Sequence, residues 1–394
     1  MLLTSVSLAH RLDPLQKNVF NQMDEAKFAA QQRGLDIIDL SIGSSDLPPP
    51  PNVIDAIATA IQDPSTYGYT LFQGTADFRA ACAAWYERKY GLQLDPDTEI
   101  TPLIGSQEGT GLLPLAVLNP GEVALLGDPY YPSHAGGVYL AGGVVETMPL
   151  VAEHDFLPDF DRIPMEIRER AKLIILSYPH NPTTAVASLG FWQQAVAFCR
   201  QHGILLAHDF PYADWVFDGD PAPSVLQADP ERSLSVECFS LSKSFHMGGF
   251  RVGFMVGNSQ VIQGINQVRS AINFNQYSGI LRGATVALRG SDDSPKQSLE
   301  IFRQRRDACV KALRQLGWWV DPPPATPYLW LPLPVTYPHN SAQFCIDVVS
   351  QTGVALAPGS GFGPSGEGYV RLALVQEGSR LVEAIARLGT ILPG

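Results

Sequence analysis

An α/β fold is what this sequence predicts, with a mostly parallel sheet covered by helices on both faces. Three observations carry that expectation. Short apolar runs of strand length alternate with helical patterns through the middle of the chain. Those runs end in polar or glycine-rich residues, as buried parallel strands do where they pass into loops. At 394 residues, 45% of them hydrophobic, the chain exceeds what one core usually organises, so a second, smaller α/β unit is expected beside the first.

The elements follow in order. "DLPPPPNV" is a proline-rich bend that leads into a helix, "PNVIDAIATAIQD". "GEVALLGDPYYP", "AKLIILSYPHNPT", "GILLAHDFPY" and "LSVECFSLSKS" each read as a buried strand followed by a polar turn. Among the intervening helices, "LGFWQQAVAFCRQHG" closes on a glycine in the place where helices end left-handed. A long amphipathic helix, "SPKQSLEIFRQRRDACVKALRQLG", precedes "PYLWLPLP" and a final αβ region. Its basic residues fall at helical spacing and are expected to form a solvated face. The expected division is a large domain over residues 46–290 and a small one built from residues 1–45 and 291–394.

Composition excludes several classes of function. A formal charge of −12, with no concentrated basic patch, argues against nucleic acid as a partner. No apolar run is long enough to cross a bilayer, so no membrane association is expected. The start, "MLLTSVSLAHRLDPLQ", lacks the basic and then sustained apolar pattern of a secretory leader. Five scattered cysteines without a CxxC pair fit reduced, packed thiols in a cytoplasmic enzyme, with neither a disulfide framework nor a metal site.

The chemistry gathers at the carboxyl ends of the strands, where open α/β sheets bind ligands. "LIGSQEGTGLLPLAVL" sets Ser106 and Gln107 at the start of a helix, where free N–H groups favour a phosphate; an ordinary capped helix would look the same. "GDPYYPSH" puts Tyr130 and Tyr131 on a turn suited to stacking on a flat ring, or to an interface. In "SYPHNPTT", Asn181 precedes a proline and could be a simple turn residue. "LLAHDFPYADWVF" draws Asp209 into a partly buried place where its carboxylate needs a cationic partner, with Tyr212 three residues on. "ECFSLSKSFHMGGFRVGF" then brings Ser240, Ser242, Lys243 and Arg251. A buried lysine is costly unless it is paired, neutral or covalently used. A bound aldehyde cofactor with a phosphate tail explains the set. Lysine forms a Schiff base with it, the carboxylate keeps a pyridine nitrogen protonated, and arginine and serine hydroxyls carry the phosphate.

"SLSKSFHMGGFRVGF" resembles the lysine signature of the fold-type I pyridoxal-phosphate aminotransferases, the aspartate aminotransferase superfamily. "YGYTLFQGTADFRAACAAWY", "GSQEG", "DPYYP", "YPHNPT", "HDFPY" and "APGSGFGPSGEGYVRLAL" fall in that family's order, so the resemblance covers nearly the whole chain. Within it, the chain looks most like the LL-diaminopimelate aminotransferase branch. The resemblance implies a seven-stranded sheet in the large domain and pyridoxal 5'-phosphate as cofactor. It implies homodimers with shared active sites, and small-molecule amino acid and 2-oxo acid substrates. By the same resemblance Lys243 is the Schiff-base lysine and proton carrier, and Asp209 the partner of the ring nitrogen. Tyr212 and Asn181 bond the ring's phenolic oxygen, and Tyr131 stacks on the ring. Ser106, Gln107, Ser240, Ser242 and Arg251 cradle the phosphate, with Tyr69 reaching that of the partner subunit. Gly43 and Arg371 belong to the substrate site, Arg371 gripping the α-carboxylate. Two features depart from the branch. Gln107 stands where the diaminopimelate enzymes carry a lysine, and "RSAINFNQYSGILRGA" offers no arginine for a second carboxylate. Asn275 faces the site or serves as a structural amide. A β-eliminating C–S lyase shares the same fold and residues and is the alternative reading.

Overall fold

Buried apolar strands can satisfy their backbone only by pairing on both sides, and the runs noted above do so in one sheet. The computed structural model describes residues 6–15, 19–335, 337 and 339–392; the first five residues of the stretch inspected for a leader lie outside it, as do the outermost residues of both ends of the expected small domain. In chain order the strands are β1 (Ile38–Asp39), β2 (Ile100–Leu103), β3 (Val123–Asp128), β4 (Val144–Pro149), β5 (Ala171–Leu176) and β6 (Leu205–Asp209). They continue with β7 (Ser235–Ser240), β8 (Gly253–Gly257), β9 (Tyr328–Pro332), β10 (Val354–Ala355), β11 (Ala357–Pro358) and β12 (Tyr369–Ala373).

Seven of these form a sheet in the order β2-β8-β7-β6-β5-β3-β4. Every pairing is parallel except those of β8, which runs antiparallel to both β2 and β7. The sheet is thus mostly parallel and seven-stranded, as expected. Its central strands are buried almost throughout, whereas β4, at the edge, is largely exposed. One face packs on Trp85, Trp192, Phe239 and Phe254; the other packs on Leu113, Leu126, Ile175 and Met255. Because β2, β7, β6, β5 and β3 point the same way, their carboxyl ends share one edge, and residues 105–106, 209, 240 and 177–181 follow from it.

A second core lies around Trp215, Phe302, Leu331, Phe344 and Leu372. Its antiparallel sheet runs β11-β12-β9, with Arg371 of β12 registered on Trp330 of β9 and on Ala357 of β11. β1 pairs in parallel with β10, and the Val19–Gln32 helix packs on the Ser341–Thr352 helix.

The long helix Asp293–Gln315 corrects one expectation. Its basic residues do not all face water: Arg305 and Arg306 are buried. Arg305 grips both carboxylate oxygens of Asp46 at 2.7 Å, and Arg306 pairs with Asp218 and Asp307. Helical spacing identified a basic stripe but not the acidic loops that cover it. All five cysteines are buried and unbridged, and among the described residues no helix is long and apolar enough to cross a membrane.

Candidate active site

A cleft of about 960 Å³ opens where the carboxyl edge of the large sheet meets β9 and β12. Lys243 enters it from the short helix Leu241–Ser244, which begins directly after β7, and donates to the carbonyl oxygen of Gly43. That carbonyl belongs to the turn after β1, so the lysine bridges the two sheet systems. Glycine is required at position 43 because a Cβ there would overlap the hydroxyl of Tyr328.

Asp209 ends β6 and is buried. One oxygen stands 3.0 Å from Nε2 of His134, in the helix Pro132–Leu140; the other, Oδ1, is buried without a partner. A buried, half-satisfied carboxylate is expensive, on the order of 1–3 kcal/mol for the unpaired acceptor alone. A ligand N–H in the cleft would remove that cost. His134 was not singled out from the sequence: it lies three residues past Tyr131 on an ordinary helix, and nothing in its spacing sets it apart.

The phosphate-type residues converge at the opposite end of the cleft. Gly105 takes φ +76° and gives no side-chain cap to the Ser106–Val117 helix, whose first residues, Ser106 and Gln107, line the cleft. The guanidinium of Arg251 lies against Gly105 so closely that a Cβ there would collide with it. Arg251 itself has φ +51°, and Gln276 holds this strained turn by donating to the carbonyls of residues 250 and 251 at 2.6 Å. Ser240 caps the short lysine helix through Ser242 N–H at 3.2 Å, while the hydroxyl of Ser242 is buried and unpaired. Gln107 is exposed at the rim, 3.5 Å from the hydroxyl of Tyr131. Burial raises the Tyr131 hydroxyl's pKa, so it stays protonated.

Arg371 approaches from β12 and is only 6% exposed. It donates to Oδ1 of Asn181 and to the carbonyl of Ser41, both at 2.7 Å, and its guanidinium lies 4.2 Å from the Tyr328 ring and 4.7 Å from the Phe362 ring. Its Nε has no partner, and among the described residues no carboxylate stands within ion-pair distance of it. A desolvated arginine paired only with neutral groups is poised for an incoming anion.

Tyr212 and Tyr328 share a hydroxyl–hydroxyl hydrogen bond of 2.7 Å, one residue from each sheet system. Burial, reinforced by Tyr328, pushes Tyr212 up. Burial also opposes ionisation of Tyr328, but the Lys243 and Arg371 cations and the Tyr212 bond outweigh it and bring Tyr328 down. Tyr328, within "PYLWLPLP", was given no role in the sequence reading.

The cleft therefore gathers Lys243, Asp209, Tyr212, Asn181, Tyr131, Ser106, Gln107, Ser240, Ser242, Arg251, Gly43 and Arg371. Tyr69 is not among its lining residues. It is 81% exposed and stacks on Phe274 at 4.6 Å. Asn275 is a structural amide: it accepts from Arg269 and donates to the carbonyl of Thr70. The unpaired atoms of Asp209, Ser242 and Arg371, together with the open helix start beside Arg251, fit a planar, protonated heterocycle carrying a phosphate, and a carboxylate beside it.

The pattern of the family described as aminotransferase class I and II matches residues 35–388. LL-diaminopimelate aminotransferase 2 of Trichormus variabilis is 39% identical over 97% of this chain and 98% of its own length. The LL-diaminopimelate aminotransferase of Halothermothrix orenii is 40% identical over 96% and 97%. Among solved structures, a probable N-succinyldiaminopimelate aminotransferase from Thermus thermophilus superposes with a TM-score of 0.90 at 42% identity, over 95% of this chain and 100% of that one. Substrate-bound BacF from Bacillus subtilis gives a TM-score of 0.94 at 33% identity, over 98% of each chain.

Proposed function

The chain belongs to the class I and II aminotransferases, and from that premise we propose how its residues divide the work and which substrates it takes. Members of this family use pyridoxal 5'-phosphate, and the chain is a transaminase moving an amino group between an amino acid and a 2-oxo acid. When bound, the cofactor supplies an aldehyde carbon that exchanges its amine partner and a protonated ring that draws electrons from the bonds at that carbon.

Lys243 Nζ would be the amine that holds the cofactor and, when free, would carry the proton at the substrate Cα. Asp209 keeps the ring nitrogen protonated through its unpaired Oδ1, with His134 fixing the other oxygen. Tyr212 and Asn181 bond the ring's phenolic oxygen, and Tyr131 covers its face. Backbone N–H groups at Ser106 and Gln107, the hydroxyls of Ser240 and Ser242, and Arg251 hold the phosphate. Arg371 takes the α-carboxylate beside Gly43. Its buried guanidinium, without a carboxylate partner but in the same cleft as Lys243, is the observation that carries this assignment.

We read residues 46–290 as the cofactor lobe and residues 1–45 with 291–394 as a smaller lobe beside it; the β1–β10 pairing supports this, as does the second core, although Tyr212, Trp215 and Phe217 of the first lobe also enter that core. The enzyme works as a homodimer in which Tyr69, which does not line its own cleft, reaches the phosphate of the other copy's cofactor. The exposed Tyr67, Tyr69, Leu71 and Phe274 support an interface there. Five buried free thiols support a cytoplasmic setting.

For substrates, the relatives' names support LL-diaminopimelate as donor; we propose this, or another polar amino acid, as donor, with a 2-oxo acid such as 2-oxoglutarate as acceptor. β-Elimination is not favoured, since the relatives and structural neighbours are transaminases. Single-turnover mixing of the holoenzyme with individual amino acids tests the reading optically. Prompt conversion of the cofactor to its amino form by LL-diaminopimelate and glutamate is expected. Reaction confined to aromatic or small neutral amino acids would overturn the substrate assignment. Pyruvate and ammonia released from cystathionine would restore the lyase. Borohydride reduction and peptide mapping should fix the cofactor on Lys243 and on no other lysine.

A further inference from the structure

Tyr328 occupies a place that the division of labour above leaves unused. It opens β9, is buried, and meets three elements of the cleft at once. Its ring lies under the Arg371 guanidinium at 4.2 Å, its hydroxyl stands 2.7 Å from that of Tyr212, and Gly43 packs against the same hydroxyl with no room for a side chain.

Proton counting gives the pair a direction. Each tyrosine brings one O–H, and one bond between them uses one proton. If Tyr212 donates to Tyr328, its proton is consumed there, and among the described residues the Tyr328 O–H is left without any acceptor. If Tyr328 donates to Tyr212, the Tyr212 proton is free to point into the cleft. Arg371, stacked on the Tyr328 ring at 4.2 Å, stabilises negative charge on that phenol, which makes Tyr328 the more acidic and hence the donating partner. The same cation supplies a control. A carboxylate seated on Arg371 cancels much of its charge, so Tyr328 becomes a weaker donor whenever that site fills.

We infer that Tyr328 is a positioning residue that couples occupancy of the Arg371 carboxylate site to the hydrogen bond Tyr212 offers the cofactor's phenolic oxygen. The inference rests on the assignment of Tyr212 and Arg371 proposed above. Its geometric basis is the stacking of one ring on the arginine and the bonding of its hydroxyl to the other tyrosine. Neither contact requires Tyr328 to touch the substrate.

The test follows the pH midpoint of the cofactor's visible absorption in the holoenzyme, with and without glutarate, an unreactive carboxylate. A donor on the ring oxygen eases loss of the titrating proton, so weakening that donor raises the midpoint. In the wild type, glutarate should raise the midpoint by about half a pH unit. Tyr328→Phe should start from a raised midpoint, lose at least half of the glutarate shift, and still bind glutarate, since the ring under Arg371 remains. Replacing Tyr328 by 3-fluorotyrosine keeps the shape, strengthens the donor and should move the midpoint the other way, a result that a merely structural role would not give. The Tyr212→Phe/Tyr328→Phe double variant should match Tyr212→Phe alone. A Tyr328→Phe enzyme that titrates as wild type in both conditions, or additive shifts in the double variant, would overturn the inference. If Tyr212→Phe itself left the midpoint unmoved, the assignment of Tyr212 would fall first and this coupling with it.

Discussion

Behind strand β6 a buried carboxylate is fully paired; in front of it another is not. His208 and Asp209 are consecutive and so point to opposite faces. On the closed face, Glu237 takes hydrogen bonds from the Tyr86 hydroxyl at 2.6 Å, the Ser224 hydroxyl at 2.9 Å and the Val225 N–H at 2.9 Å. His208 completes this ring, with Nδ1 2.7 Å from Glu237 and Nε2 2.8 Å from the carbonyl of Tyr178. Both residues are fully buried, and every carboxylate oxygen has partners. On the cleft face, Asp209 Oδ1, Ser242 Oγ and Arg371 Nε are equally hidden from solvent yet bond nothing. Burial alone therefore does not separate structure from function in this molecule. The state of the two carboxylates does: the network around Glu237 ties β5, β6 and β7 together, while Asp209 keeps an oxygen open toward the cleft.

The comparison is sharpest at its two carboxylates. Asp209→Asn keeps the bond to His134 and the shape of the cleft but cannot hold a ring nitrogen protonated. It should lower amino transfer on the order of 10³-fold while the cofactor still binds and thermal stability hardly moves. Steady-state rates beside an unfolding curve decide this, and near-normal turnover would remove Asp209 from its proposed role. Glu237→Ala should do the reverse. It strands four donors in a dry core and should cost about 3–5 kcal/mol of stability by denaturant titration. The fraction that remains folded should keep kcat/KM within about threefold. A large loss of activity at unchanged stability would erase the distinction between the two faces.

Arg371→Lys sits between these extremes. It keeps the positive charge but gives up the planar two-point grip and the stacking on Tyr328 and Phe362, so kcat/KM for α-amino acids should fall by about 10²-fold. Amines without a carboxylate, which are poor donors from the start, should be affected far less. Equal losses for both would detach Arg371 from carboxylate binding.

The difference between the faces also explains what could be read from sequence. Lys243, Asp209 and Asn181 stand at or just beyond strand ends, and Arg371 in the middle of β12, all inside motifs whose order is informative, and the cleft gathers them. His208 carried no signal of its own beside Asp209, because its partner Glu237 is 29 positions away and nothing local marks the pairing. His134 and Tyr328 were missed for the same reason: each acts through a contact made by the fold, His134 across the helix–strand packing and Tyr328 across the two sheets. Arg305 and Arg306 erred in the other direction, since a basic helical stripe looks solvated until the acidic loops that cover it are placed.

The smallest effect tests the comparison most directly, because it pits two buried serine hydroxyls against each other. Ser242 Oγ bonds nothing, whereas Ser224 Oγ donates to Glu237 and accepts from Leu226 N–H. Without cofactor, Ser242→Ala removes a hydroxyl that has lost its water and gained no partner, so stability should stay level or rise by up to about 1 kcal/mol. Ser224→Ala should lower it by about 1 kcal/mol or more, because Glu237 and the Leu226 N–H each lose a partner. With cofactor the order inverts: Ser242→Ala gives up a hydrogen bond to a phosphate dianion and should weaken cofactor binding about tenfold, while Ser224→Ala should leave it unchanged. Thermal unfolding of each variant with and without pyridoxal phosphate reads both halves. If Ser242→Ala destabilised the cofactor-free chain as much as Ser224→Ala does, the hydroxyl would be structural after all, and the phosphate would have to be held by Ser106, Ser240 and Arg251 without it.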